Sequence, residues 1–511
     1  MGIGTLRRAL LPALLTFAIA LATAAPALAF ERLEQYGAGM PGSGAGQIIQ
    51  PTGVGVSADG TVAVSDLGNQ RVAVFSQNGR FLRAFGKDVA IGGGEGFEVC
   101  TSACKGGAAG TAAGELSSPF SLAIGGGEIY VSEVGSHRVS AFNFAGQFLR
   151  AFGADVGGAG VNLCTATCGP GTAGVEAGQM AAPAGIAVDA SGRVYVGQLG
   201  TSRIDVFDPV TGKFLLAFGK NVGGVGVNTC TTTCAPGVAD GTPGSLSLPY
   251  GVSVAPNGEV FVAENGGGRI SVFSSAGNFL RLFGSAGEGP AQMVAPGGVA
   301  PDAQGNVYVT DTGNNRLAVF VAGGSFRAHG LDVIPGGLAA PEVCTTSCKA
   351  GEANYGVGEF VAPWGITLDC RQAVYVGMIG RVDKWGEEGE RLPPCPSNDF
   401  SLGKLRRNKK KGFVTVEVTV SGPGTLAAAV GKKLKATVPQ PAAAGTVRVK
   451  VAGAGKGVKT LNKKGKLKTN LSVTFTPPNG DPNTKSRKVT VVKKKKRKKR
   501  KGGKQGGKPR R

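Results

Sequence analysis

Histidine is nearly absent, with only His137 and His329 in a chain of 511 residues. That scarcity excludes most metal or acid–base sites built from several imidazoles. Charged residues are also sparse, at 17% against roughly 25% in an average protein. After residue 29 no apolar run is long enough to span a membrane. The chain also lacks a Gly-x-x-x-x-Gly-Lys-(Ser/Thr) phosphate loop, a zinc signature, and a Ser-His-acid set with a recognisable elbow. What it has is glycine, 87 residues, more than twice the usual ~7%. That excess disfavours helix bundles and points to many turns. With 42% apolar residues there is ample core material, and the length predicts two or more domains.

The first 29 residues read as a cleavable secretory signal. Arg7 and Arg8 precede an apolar stretch from Leu10 to Ala22, and Ala27-Leu28-Ala29 forms a small-residue cleavage site. This predicts a secreted, extracellular or cell-envelope protein without a transmembrane segment after cleavage. The formal charge of +23 is uneven. Residues 401–511 hold 33 Lys and Arg against Glu417 and Asp481, a net +31, whereas residues 30–400 sum to −10. A mildly acidic body carries a basic end.

One pattern is written six times: Pro-x-Gly-(Val/Ile) or a close variant, a Gly turn, a second strand, a polar turn, Arg with an apolar strand, then Phe-Leu-x-x-Phe-Gly. Copies begin at Pro51, Pro119, Pro183, Pro249, Pro296 and Pro363, at spacings of 68, 64, 66, 47 and 67 residues. Each copy holds four short runs of period-2 alternation between turn residues, which predicts a four-stranded antiparallel meander. One such sheet cannot bury both faces, but six stacked around an axis can. Phe75, Phe142, Phe207, Phe273, Phe320 and Trp385 share one repeat position suited to that packing. The sixth copy lacks its last strand. Leu33-Glu34-Gln35-Tyr36-Gly37 matches Leu82-Arg83-Ala84-Phe85-Gly86, so the N-terminal strand is expected to complete the last blade and close the ring.

Asp66-x-x-Asn69-x-Arg71 and Asp311-x-x-Asn314-x-Arg316 give the region from 30 to 397 its resemblance to a six-bladed NHL propeller. The resemblance implies an all-β fold. It leaves function open, because NHL-type propellers include amidating lyases, bacterial sensor domains and RNA-binding domains.

The repeated arginines suggest a cationic ring, but in four copies an acid stands five positions earlier: Asp66 with Arg71, Glu133 with Arg138, Glu264 with Arg269, and Asp311 with Arg316. A hairpin of that length predicts structural ion pairs. Copies three and six have Gln198 and Met378 at the acid's position, which marks Arg203 and Arg381 as available to a ligand. No catalytic residue and no cofactor is assigned. The carboxylates leave Ca²⁺ open, and with it an alternative reading as a hydrolase or lyase with a divalent metal in the tunnel.

Four insertions between copies each carry Cys-x-x-x-Cys: Cys100 and Cys104, Cys164 and Cys168, Cys230 and Cys234, Cys344 and Cys348. In an exported chain the even total of ten favours disulfides, with pairing within each loop the simplest connectivity. Zinc held by two loops is the alternative. Cys370 and Cys395 remain, placed to pin the exit of the ring. In a meander, the connection between blades and the turn after the second strand lie on one face. The Cys loops therefore crowd the face that carries the arginines, and this face is expected to bind a protein or glycan.

Beyond residue 397 the composition changes. Alternating runs between 398 and 492, such as Val414 to Val420 and Val447 to Val451, predict a small basic β-sandwich. Residues 493–511 form a cationic tail that begins Lys493, Lys494, Lys495, Lys496, Arg497, Lys498, Lys499, Arg500. It is expected to be disordered and to attach to an anionic envelope polymer. No aromatic residue interleaves with these cations, so sequence-specific nucleic-acid readout is not indicated.

Overall fold

A computed structural model describes residues 30–337, 339–387, 400–420, 424–439, 445–476 and 483–494. The expected leader, Cys395, and the tail from Lys495 onward lie outside the described residues.

Six antiparallel sheets follow one another between Phe30 and Glu387. Their inner strands are Pro51–Val56, Pro119–Gly125, Pro183–Val188, Pro249–Val254, Val299–Pro301 and Ile366–Leu368. Each touches the next, and the sixth returns to the first. This cyclic order is that of a β-propeller. The strand Phe30–Tyr36 pairs with Arg381–Glu387, setting Tyr36 opposite Val382. The first strand therefore closes the last blade, as its likeness to the repeat predicts.

The blades differ from the expected meander in one respect. Four of them have a fifth, outer strand: Phe97–Cys100, Leu163–Cys164, Thr229–Cys230 and Pro341–Cys344. Each comes from a Cys insertion that folds back on the fourth strand and sets its first cysteine opposite an alanine, as Cys100 is to Ala84 and Cys164 to Ala151. The insertions thus cover the edge that a four-stranded blade would leave unpaired.

Aromatic pairs join neighbouring blades. Phe85 meets Phe142 at 4.7 Å between centroids, Phe152 meets Phe207 at 5.5 Å, Phe218 meets Phe273 at 5.1 Å, and Phe283 meets Phe320 at 4.8 Å. Such pairs contribute about 0.5–1.5 kcal/mol beyond the area they bury. Tyr36 makes the corresponding contact with Phe75 across the closure, at 6.2 Å. In the fifth blade His329 replaces the phenylalanine, and Trp385 of the sixth packs on Phe360 instead, at 5.3 Å. The Pro-x-Gly glycines have a steric cause. A Cβ on Gly185 would lie 2.3 Å from the carbonyl oxygen of Tyr250 in the next blade, and one on Gly53 would lie 2.5 Å from the amide nitrogen of Leu122. The inner strands approach too closely there for a side chain.

Seven strands between Phe400 and Val492 form sheets of four and three. Val414, Val416, Val418 and Val420 point inward to meet Val449, Leu471, Val473 and Phe475 in one core, while Thr415, Glu417 and Thr419 face outward. A helix at Lys456–Lys464, which the alternating pattern does not suggest, anchors through Leu461.

Candidate functional site: the disulfide-loop face

All four loop pairings are present, Cys100–Cys104, Cys164–Cys168, Cys230–Cys234 and Cys344–Cys348, each with 5.5 Å between Cα atoms. Cys370 is also disulfide-bonded. The repeated Asp or Asn that opens each loop shapes it. Asp88, Asp155, Asn221 and Asp332 all adopt positive φ, between 49° and 63°. Asp88 accepts a hydrogen bond from the Gly96 amide at 3.0 Å, and Asn221 accepts one from Gly226 at 2.9 Å. The valine that follows, Val89, Val156, Val222 or Val333, is fully buried, and Val156 and Val222 pack against the first cysteine of their own loops. Disulfide, turn and buried valine make each insertion a folded unit.

The arginines tie these units together. Arg71 donates through Nε to Asp66 at 3.2 Å. Its terminal nitrogens donate to the carbonyls of Ser43, Gly44 and Gln47 in the preceding connection and to Lys105 in the following Cys loop, at 2.7–3.1 Å. Arg138 repeats the scheme with Glu133 at 3.0 Å, with Ala112 and Glu115 before it and Gly169 after it. Arg316 does so with Asp311 at 2.7 Å, with Glu288, Gly289 and Gln292 before it and Lys349 after it. Arg269 pairs with Glu264 at 2.9 Å and reaches Gly241 and Ser245. Each acid also accepts a backbone amide from the segment before its blade, as Asp66 does from Ile49 and Glu264 from Ser247. The pairs of Arg71, Arg138 and Arg316 are therefore central contacts of a buried lattice that joins the connection before each blade to the Cys loop after it, while the part-buried pair of Arg269 is tied to the preceding connection.

Arg203 and Arg381, expected to be free for a ligand, are not. Arg203 is fully buried and forms a two-pronged pair with Asp205, Nε to Oδ1 at 2.7 Å and Nη2 to Oδ2 at 3.0 Å. Arg381 donates to Asp383 at 2.9 Å. The carboxylate missing from the second strand is supplied two residues later on the arginine's own strand, where side chains i and i+2 share a face. Gln198 keeps the other duty of the lost acid and accepts the Ala181 amide at 2.9 Å. Burial pushes the Asp205 carboxyl up to about 6, against the pull of Arg203.

Both histidines are occupied by structure. His137 sits in its turn at φ 51° and accepts the Ala182 amide through Nδ1 at 3.4 Å. His329 is buried, and loss of solvent lowers its imidazole to about 4. A divalent cation does not fit the repeated carboxylates, because their oxygens are taken by arginines and backbone amides. Among the described residues no three His, Cys, Asp or Glu side chains are grouped to hold an ion, and no helix is long and apolar enough to cross a membrane.

Among exposed threonines and glycines, this face also presents aliphatic side chains to solvent. The loop tips carry Ile91, 64% exposed, Val161 at 48%, Val225 at 96% and Val227 at 50%. The sequence signal for them is an Ile or Val set among glycines in the first three Cys loops, one each in the first two and two in the third.

A curated relative, Protein brain tumor of Drosophila melanogaster, is 27% identical over 177 residues, covering 34% of this chain. The match spans about 13% of that protein's length. Among solved structures, virginiamycin B lyase from Staphylococcus aureus is 12% identical, covering 70% of this chain and 99% of its own, with a TM-score of 0.38. A gluconolactonase from Xanthomonas campestris is 12% identical, covering 70% of this chain and 98% of its own, with a TM-score of 0.39. Residues 49–75 and 295–320 match the NHL repeat family. They span the Asp-x-x-Asn-x-Arg segments of the first and fifth copies, so the chain matches the NHL repeat at two copies of its ring of β-sheets.

Proposed function

We propose that this is a secreted or cell-surface binding protein without catalytic activity. Its disulfide-loop face takes a protein partner, and its basic C-terminal region attaches to an anionic envelope polymer. The observation that carries the reading is the set of exposed aliphatic tips on loops held rigid by disulfides and buried arginines. Pre-ordered loops lose little entropy on binding, and solvent-exposed aliphatics grouped on one face favour a protein surface over a polar glycan.

The cationic attachment begins on folded structure. Lys494 joins Arg406, Arg407, Lys409 and Lys410 around a shallow pocket of about 610 Å³. Lys493 donates to Asn462 at 2.8 Å, so the tail leaves from a surface that is already basic. The test is capture from envelope extracts on the immobilised full-length chain, compared with an Ile91→Ser, Val161→Ser, Val225→Ser, Val227→Ser variant. A partner whose capture is lost with the tips supports the reading. Capture that is unchanged refutes the assignment to this face.

A further inference from the structure

The residue after each blade's opening proline alternates in size around the ring: Thr52, Phe120, Ala184, Tyr250, Gly297, Trp364. Large rings come from the second, fourth and sixth blades, and small residues lie between them. The rings touch, Phe120 edge-on to Tyr250 at 5.2 Å and Tyr250 stacked with Trp364 at 5.6 Å. This is the level at which the inner strands crowd together and demand glycine, so six large side chains would not fit and three do. Neighbouring blades fix the backbone beneath the rings. Ser65 Oγ donates to the Phe120 carbonyl at 2.9 Å, and Thr310 Oγ1 donates to that of Trp364 at 2.7 Å.

The three rings stand at one end of an axial cavity of about 740 Å³. The inner strands run for roughly 16 Å at the usual rise per residue. Leu122, Ile124, Ile186, Val252, Val299 and Ile366 line the cavity. Each inner strand is the last in its sheet, so one of its backbone edges is unpaired within the blade. Both rim carboxylates in the lining are engaged, Asp189 by Arg193 and Asp369 by Lys384.

We propose that this tunnel is a binding site for an uncharged, largely apolar organic molecule that stacks on Phe120, Tyr250 and Trp364 and meets the strand edges with a few neutral polar groups. The volume falls within the range of roughly 300–1,000 Å³ usual for small-molecule pockets, and the lining sets apolar side chains beside the hydroxyls of Ser121, Ser253 and Thr367 and the unpaired strand edges. The site is separate from the loop tips. It stands or falls independently of a protein partner on that face.

The chain supplies its own reporter, because Trp364 and Trp385 are the only tryptophans. Trp385→Phe restores the residue found in the other five copies and leaves Trp364 alone. The neutral fluorophore N-phenyl-1-naphthylamine is titrated into this full-length variant. The expected result is a saturable rise in probe fluorescence at one probe per chain, with quenching of Trp364 over the same concentrations. In the same background, Thr52→Trp, which fills the gap between rings, and Tyr250→Ala are each expected to weaken binding at least tenfold, with the far-ultraviolet circular dichroism spectrum confirming the fold. Absence of saturable quenching in Trp385→Phe overturns the proposal without reliance on either cavity variant. So does an affinity that both folded cavity variants leave unchanged.

Discussion

Replacing Arg203 by methionine tests the arginine lattice where the sequence pattern is least regular. The substitution keeps the aliphatic volume and removes the guanidinium, leaving Asp205 fully buried without its counter-charge. It also strips hydrogen bonds from the carbonyls of Val175 and Glu176 on one side and Ala235 on the other. Breaking a buried ion pair by removing one partner costs about 3–5 kcal/mol. The double variant Arg203→Met, Asp205→Leu leaves no orphan charge. Its cost is expected to fall to about 1–3 kcal/mol, the scale of unsatisfied buried polar groups. Arg281→Met is the control, because Arg281 pairs with Glu259 at an exposed site, where less than about 1 kcal/mol is expected. Guanidinium unfolding of the full chain followed by tryptophan emission reads the ring alone, since both tryptophans lie before residue 400. A cost for Arg203→Met no larger than that of Arg281→Met, or a double variant worse than the single, would show that the buried pair does not carry this load.

Four further outcomes are expected. His329 titrates near 4 when folded and about 6.5 when unfolded, so its contribution to stability is present above about pH 6.5 and is lost as the pH falls towards 4; His329→Phe is predicted to gain on the wild type across that window in pH-dependent unfolding. Asp205 has the opposite sign: its folded value of about 6 exceeds the unfolded value of about 3.9, so its contribution is present at acid pH and is lost as the pH rises through about 6, a trend that Asp205→Asn is expected to remove from the same measurement. Paired Cys164→Ser, Cys168→Ser substitution opens a five-residue loop worth about 2 kcal/mol in the chain-entropy account, and it should speed hydrogen exchange in residues 153–172 while sparing the amides of the strand Arg138–Asn143. Gly185→Ala should cost about 1–3 kcal/mol by overpacking against the Tyr250 carbonyl, whereas Gly169→Ala, with open space around it, should be near neutral in thermal unfolding.

The ring was legible in the sequence because every blade solves the same packing problem and so repeats the same residues. The closure by Tyr36 and the loop disulfides followed from that likeness. Three features escaped it. A fifth strand on four blades was hidden because residues such as Leu163-Cys164 are too few to show a period. The repeat points to a partner five positions before each arginine, whereas Arg203-Ile204-Asp205 and Arg381-Val382-Asp383 place the acid on the arginine's own strand face. The three rings in the tunnel occupy a position whose residues differ in every copy, and only the spatial order of blades shows the alternation of large and small. Outside the ring, the helix Lys456–Lys464 leaves no clear sequence signal, because a lysine-rich segment reads as solvated connection in a domain otherwise patterned for strands.

On the proposed function, the disulfide-loop face, and not the opposite end of the ring, engages a protein. The most direct measurement compares capture of one envelope partner by the full-length chain, by the variant with serine at Ile91, Val161, Val225 and Val227, and by a control with Gln77→Ser, Asn278→Ser and Gln304→Ser in turns at the other end of the ring. Retention by the wild type and the control is expected, with loss of at least tenfold in affinity for the loop-tip variant. Equal affinity for all three, or loss confined to the control, would contradict it.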